Sequence, residues 1–355
     1  MRELSIVKEM TARERVIAAL SHEEGDRVPI WDLIDNKAVY EYFSPGETDT
    51  LKMAAKTYAG LGIDATRAYL VPENGIEAKS PPGNVRKLRY GQTSWVVRRP
   101  VNTLDDLDDY DPHFPSYQEL TKNYVTDFKR KRDAFAPHTV FIGYVNAIFF
   151  DAFRAIPLDI FSMAIHDKPR EIRRIMKAYT QHSLNIITAY AEHRLGPAFM
   201  ICEDIAYKGR LMFSPEFLKR EFFPRLKKLT EPLLNAKIKV LFHSDGYIMD
   251  ILDDLIEAGI EGINPIEPLA GNDISYIKRR YGKKLVLLGN VDCSQVLPLA
   301  TPEEIRQATR KCIRAASPGG GHFIGSSSEI TPAVPLENAL AFFRAAKEYG
   351  KYPIR

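Results

Sequence analysis

Short apolar runs that end in polar residues recur along this chain, and each is followed by a segment whose apolar positions fall at helical spacing. No other feature restricts the fold as strongly. The clearest case is residues 237–242, which hold β-branched residues, follow an Asn-Ala pair and are too few for a helix. They read as a buried strand. Residues 247–258 then place Ile248, Ile251, Leu252, Leu255 and Ile256 on one face, with Gly259 as the stop. His243, Ser244 and Asp245 therefore stand where a strand ends and a helix begins.

The same alternation repeats eight times, with strands expected at 28–31, 64–70, 139–144, 198–202, 237–242, 262–264, 285–288 and 321–325. Helix starts are marked by Thr11 with Glu14 as a capping box, by Ser214-Pro215 and by Thr301-Pro302. Eight strands, each followed by a helix, is the count of a (β/α)8 barrel. The competing doubly wound sheet would carry GxGxxG after its first strand, and none is present. The expected architecture is thus α/β, a (β/α)8 TIM barrel forming a single domain over residues 1–355. A β-hairpin is inserted at about 85–99, turning at Gly91-Gln92.

The charge balance is +3 with 27% charged residues, and the basic residues are dispersed. That argues against a nucleic-acid partner. No apolar run reaches the length of a membrane span, and residues 1–10 carry no signal-peptide core. The three cysteines form no CxxC pair. These features together point to a soluble, reducing, cytoplasmic setting.

In a barrel the residues just after each strand converge on one mouth. Here they are Asp32 and Asp35, Arg67 and Tyr69, Tyr144 and Asn146, Glu203 and Asp204, His243 and Asp245, Asn264 and Glu267, Asn290 and Asp292, then Ser326 to Glu329. An acid-rich set around one histidine can move protons or hold a metal. Each member also has a structural reading. His243 could cap the following helix, and Asp245 stands where an N-cap for residues 247–258 belongs. Asp292 suits a turn. Glu203-Asp204 resists such a reading, because two adjacent acids after an apolar strand are costly to bury unpaired. His138 and His322 begin strands and read as structural. Ser326-Ser327-Ser328 lacks the GxSxG context of a serine nucleophile, and Gly319-Gly320-Gly321 precedes a strand rather than a helix.

Several stretches resemble the uroporphyrinogen decarboxylase superfamily, which includes corrinoid-linked methyltransferases. They are TARERVIAALSHEEGDRVPIWD, ICEDIAYKGRLMFSPEFLKREFFPRLKKL, HSDGYIMDILDDLIEAGIEGINPIEP, LLGNVD with TPEEI downstream, and PGGGHFIGSSSEITPAVPLENALAF. The resemblance spans residues 11–343 in the family's order and implies a (β/α)8 barrel. Its decarboxylase branch grips a tetrapyrrole's carboxylates with arginines just after the first strand. This chain has Trp31-Asp32-Leu33-Ile34-Asp35-Asn36 there, with two acids and no arginine. Its coenzyme M branch holds zinc with a His-x-Cys after strand five and a Cys after strand eight. The matching positions here are His243-Ser244-Asp245 and Ser328, so both thiolates are missing.

The resemblance therefore implies a corrinoid-dependent, methyltransferase-like enzyme. It would move a methyl group between a small methoxy- or amine-type substrate and cobalamin, carried on a partner corrinoid protein or free. His243 is then metal ligand or general acid, with Glu203 and Asp204 orienting it or completing the site. Asp32, Arg67, Tyr69, Tyr144, Asn146, Asn264, Asn290 and Glu329 would line the substrate pocket. A divalent ion, zinc or another, would be held by His243 with Glu203, and Asp245 or Glu329 could join them. Two alternatives stand beside this. One is a decarboxylase of a carboxylated tetrapyrrole using Asp32 or Asp35, and the other is a non-catalytic barrel that binds a corrinoid or tetrapyrrole. A homodimer is compatible with either.

Overall fold

The structure, a computed structural model, describes residues 9–71, 77–80, 84–88 and 94–354. It divides into two compact units, one of Met1–Leu70, Lys131–Ile142 and Gly262–Arg355, the other of Val71–Arg130 and Gly143–Glu261.

In the first unit, Gly262–Asn264 pairs with Val286–Leu288, and that strand with His322–Phe323. Single parallel bridges follow, Ile30 to Ile324 and Trp31 to Ala65, and Ala65–Thr66 then pairs with Val140–Phe141. In the second unit, Gly143–Asn146, Ala198–Cys202 and Lys239–His243 run side by side. Every one of these pairings is parallel, and helices separate the strands along the chain, except that Ile142 alone divides Val140–Phe141 from Gly143–Asn146. Parallel neighbours cannot be joined by a tight turn, so the helices are the crossovers that the ladder requires.

All eight expected strand positions carry ladder or bridge pairing, although the strands are short. The stretch 64–70 keeps only Ala65–Thr66, and 139–144 arrives as Val140–Phe141 and Gly143–Asn146. Ala198–Cys202 is buried throughout. That suits a strand covered on both faces, which reads as a continuous apolar run rather than an alternation. The helix caps fall where the sequence places them. Thr11 and Glu14 form a capping box, as do Thr301 and Glu304, and the Ser214 side chain accepts from the Phe217 amide. In the insertion, Glu77–Ser80, Asn84–Leu88 and Ser94–Arg98 form an antiparallel sheet. The expected turn at Gly91-Gln92 lies outside the described residues. No helix among the described residues is long and apolar enough to cross a membrane.

The first helix of the first unit is fastened to its strands by buried charge. Arg15 donates to Asp26 Oδ1 and to Asp64 Oδ1, both at 2.6 Å, and Arg27 donates to Asp64 Oδ2 at 2.6 Å. The Ile30 amide also reaches Asp64 Oδ2, at 2.8 Å. Burial opposes ionisation of Asp26, but hydrogen bonds from Arg15 and from the Met10 and Arg27 amides outweigh it and hold its pKa below the ordinary range. Asp64 is the shared acceptor, with its side chain only 2% exposed and that of Arg15 5%. Removing it takes from Arg27 its carboxylate partner and from Arg15 one of two, leaving Asp26. Asp64→Ala should therefore cost about 3–5 kcal/mol of unfolding free energy, measured by chemical denaturation. A loss below about 1 kcal/mol, the level of an exposed pair, would show that the network is not a keystone.

Candidate functional site

In the second unit the ladder between Ala198–Cys202 and Lys239–His243 sets His243 opposite Cys202. One step further, the Glu203 amide donates to the His243 carbonyl at 2.8 Å. The two loops leaving these strands therefore start side by side, and the polar residues on them converge. His243 Nε2 lies 3.9 Å from Asp204 Oδ1 and 3.9 Å from Asp245 Oδ1. The Asp245 amide donates to Asp204 Oδ1 at 3.1 Å. One ligand atom from each of the three side chains falls within 4.8 Å of the other two. A divalent ion bonded at about 2.0–2.4 Å can bridge donors up to roughly twice that apart, so the spacing fits one ion. His243 is buried, and Asp204 and Asp245 are half-exposed.

Glu203 is turned the other way. Its carboxylate accepts from the Phe149 amide at 3.1 Å and from the Phe150 amide at 2.9 Å, and it has no exposed surface. Burial raises its pKa to about 8, although backbone hydrogen bonds from Phe150, Phe149 and Ile148 oppose the rise. The Phe149 ring is the hub of an aromatic cluster, with Phe153, Phe161, Phe213, Phe217 and Phe222 all within 5.9 Å between centroids. Glu203 thus ties the loop after Gly143–Asn146 to its neighbour, outside the group that gathers at His243. Asp204 and Asp245, not Glu203, are the carboxylates that stand 3.9 Å from His243 Nε2.

Asp245, expected as a helix cap, does not cap. The helix begins at Leu252, after a single 3-10 turn at Met249–Ile251, and neither has a side-chain cap. Tyr144 is 37% exposed and Asn146 half-buried, opposite Met200 and Cys202 in the ladder.

The strand ends of the first unit hold a separate polar group. Asp32 is fully buried and accepts from the Ser326 hydroxyl at 2.7 Å, the Ser326 amide at 3.0 Å and the Leu33 amide at 2.9 Å. Burial lifts its pKa to about 7 against these bonds, and the charge of Glu329 adds to the rise. Asn264 donates to the Leu288 carbonyl and Asn290 to the Ile266 carbonyl, so both hold neighbouring strand ends. Asp292 Oδ1 accepts from the Ser294, Gln295 and Val296 amides, the turn role expected of it. Arg67, Tyr69 and Glu329 are half-buried, and the Tyr69 ring leans on Phe135 at 5.9 Å. His322 is structural, placed between the Ser317 hydroxyl and the Gly289 carbonyl at 2.8 Å each. Ser326 entered the sequence reading only as part of a serine run without nucleophile context. Its pairing with an acid 294 positions away has no local signal.

Residues 87–349 match the uroporphyrinogen decarboxylase (URO-D) family. A uroporphyrinogen decarboxylase of Pseudoalteromonas translucida is 40% identical over 78 residues, 22% of this chain and 22% of that protein. A methylated-thiol–coenzyme M methyltransferase of Methanosarcina mazei is 33% identical over 73 residues, 21% of this chain and 19% of that protein. The chain thus spans about a fifth of the length of the curated relatives it matches. The solved structure of a methyltransferase from Methanosarcina mazei superposes with a TM-score of 0.72 at 20% identity, over 96% of this chain and 99% of that one. The shared fold bears out the expected α/β barrel class.

The Asp32 environment predicts a pH effect on stability. Its folded pKa is about 7 against an ordinary 3.8, so the folded form binds the proton more tightly between those values. Stability should fall as pH rises from about 4 to 7, by about 3–5 kcal/mol from this group, and level off above. Denaturant midpoints across that range should show the slope, and Asp32→Asn should remove Asp32's share of it. A wild-type midpoint that climbs over the same window would contradict the assignment.

Proposed function

The chain belongs to the uroporphyrinogen decarboxylase family, and from that membership we propose that it works as a methyltransferase-like enzyme. The reaction assigned to it moves a methyl group between a small methoxy- or amine-type substrate and a corrinoid, carried by a partner protein or free. The observation that supports this reading is the convergence of His243 with Asp204 and Asp245, all three donor atoms lying within 4.8 Å of one another. An ether oxygen or an amine nitrogen leaves only when it is protonated or bound to a Lewis acid. That group of side chains can meet the requirement in either way.

The donor set is one imidazole nitrogen and two carboxylate oxygens, with serine or aspartate where thiolates would stand. Such donors suit a borderline or hard divalent ion, zinc or manganese among them, rather than a thiolate-rich zinc site. When bound, the ion would supply Lewis acidity at the leaving atom. The protein's own part follows from the geometry. His243 Nε2 would present a proton or a lone pair to the substrate or ion, with Asp204 and Asp245 oxygens each 3.9 Å from it. The Asp245 amide in turn holds Asp204 in place.

The decarboxylase alternative has less support. A polycarboxylate substrate needs cations near the first strand end, and residues 31–36 offer Asp32 and Asp35, both buried. Both Asp32 oxygens already accept from Ser326 or Leu33. Asp32 is also 1% exposed, which keeps it from meeting a protonated pyrrole without a rearrangement around it.

Elemental analysis of protein purified with divalent metal supplied should find about one equivalent in the wild type, lost in His243→Ala. Methyl transfer from methoxylated or methylamine substrates to cob(I)alamin, followed by the corrinoid absorption, should drop about 100- to 10,000-fold in the same variant. Full activity in His243→Ala would sink the assignment. Turnover of uroporphyrinogen by the wild type would favour the decarboxylase instead.

A further inference from the structure

We propose that Ser244 is a positioning residue, whose hydroxyl locks the two loops that carry Asp204, His243 and Asp245 into the spacing a metal ion needs. The inference rests on reading that cluster as a metal and proton-transfer centre, and it adds a residue that touches neither ion nor substrate.

The argument starts where the regular ladder stops. Beyond His243 and Cys202 the strands end, yet the chains stay joined. The Glu203 amide donates to the His243 carbonyl at 2.8 Å, the Asp245 amide to Asp204 Oδ1 at 3.1 Å, and the Tyr247 amide to the Tyr207 carbonyl at 2.8 Å. Between these lies the Ile205 amide, fastened by Ser244 Oγ at 3.3 Å. The same hydroxyl donates to the Asp245 carbonyl at 2.9 Å. Ser244 thus spans both loops with one oxygen, accepting from the residue after Asp204 and donating to Asp245 itself. It is 1% exposed, and Ile205 is fully buried, so water is poorly placed to replace the bond to the Ile205 amide.

The backbone is shaped to allow this contact. Gly246 has φ +86°, and a Cβ built there would lie 2.5 Å from the Ala206 carbonyl. Only glycine lets the fifth-strand loop come this close to the hairpin of Ala206–Tyr207 and Arg210–Leu211. Side chains that orient metal ligands without touching the ion commonly alter affinity about 10- to 100-fold when removed. A serine hydroxyl is short and has one torsion, which suits it to hold a fixed separation.

The test is a cobalt(II) titration of apo-protein, wild type against Ser244→Ala, read by the visible d–d absorption. Circular dichroism and thermal melting of the apo forms serve as the control for folding. Expected is one cobalt bound by the wild type, with Ser244→Ala binding about tenfold or more weakly and its band displaced. The band position does not depend on how much of the variant is folded, so it decides even if Ser244→Ala melts earlier. Equal affinity with an unchanged band would overturn the positioning role and leave the metal reading standing. A wild type that takes up no cobalt would overturn both.

Discussion

The Glu203 amide donates to the His243 carbonyl at 2.8 Å, and this rung beyond the parallel ladder sets which polar residues meet at the strand edge of the second unit. Parallel strands deliver their C-terminal ends to one edge. Register then decides which residues meet there. With His243 opposite Cys202, the next residues on the two loops are Glu203 and Asp204 on one side and Ser244 and Asp245 on the other. A slip of one residue would turn every side chain to the opposite face. The buried runs Phe199-Met200-Ile201 and Val240-Leu241-Phe242 make that slip costly, because each side chain already has its place in the core.

The same alternation separates the roles of two adjacent acids. Successive side chains at a strand end point to opposite sides. Glu203 is buried and held by the backbone amides of Phe149 and Phe150, whereas Asp204 stays half-exposed beside His243. The Glu203 side chain has no exposed surface, and backbone amides of residues 148 to 150 hydrogen-bond it in place of water. The arrangement ties one loop to another, leaving the neighbouring acid available.

Much of this was legible in the sequence. Apolar runs of strand length, each followed by a helical pattern, gave eight strand positions, and the caps at Thr11, Ser214 and Thr301 were read from residue type alone. Asp292 forms the local turn bonds its position suggests, whereas His322 joins the nearby Ser317 hydroxyl to the Gly289 carbonyl 33 positions away. Strand length was less legible. Residues 64–70 carry strand-like composition, but only Ala65–Thr66 finds partners, because pairing depends on what the neighbouring strand supplies. The direction of a side chain was not legible either. That Glu203 would bind amides and Asp245 would face His243 follows from loop paths several residues long, on which local propensity is silent. Asp32 and Ser326 meet across nearly the whole chain, and no local pattern announces such a contact.

The three-residue cluster has a chemical character that thiolate sites lack. Its donors are an imidazole and two carboxylates, none of which mild oxidants attack; the three cysteines are buried and none belongs to the cluster, although Cys202 stands opposite His243 in the ladder. Burial pushes the Cys312 thiol up to about 12 and raises Cys293 as well, so neither offers a thiolate at neutral pH. Peroxide or alkylating reagents, which disable a cysteine-ligated centre by consuming its ligands, find no such ligand here. An ion held as proposed would keep its nitrogen and oxygen ligands in air, where thiolate ligands are consumed.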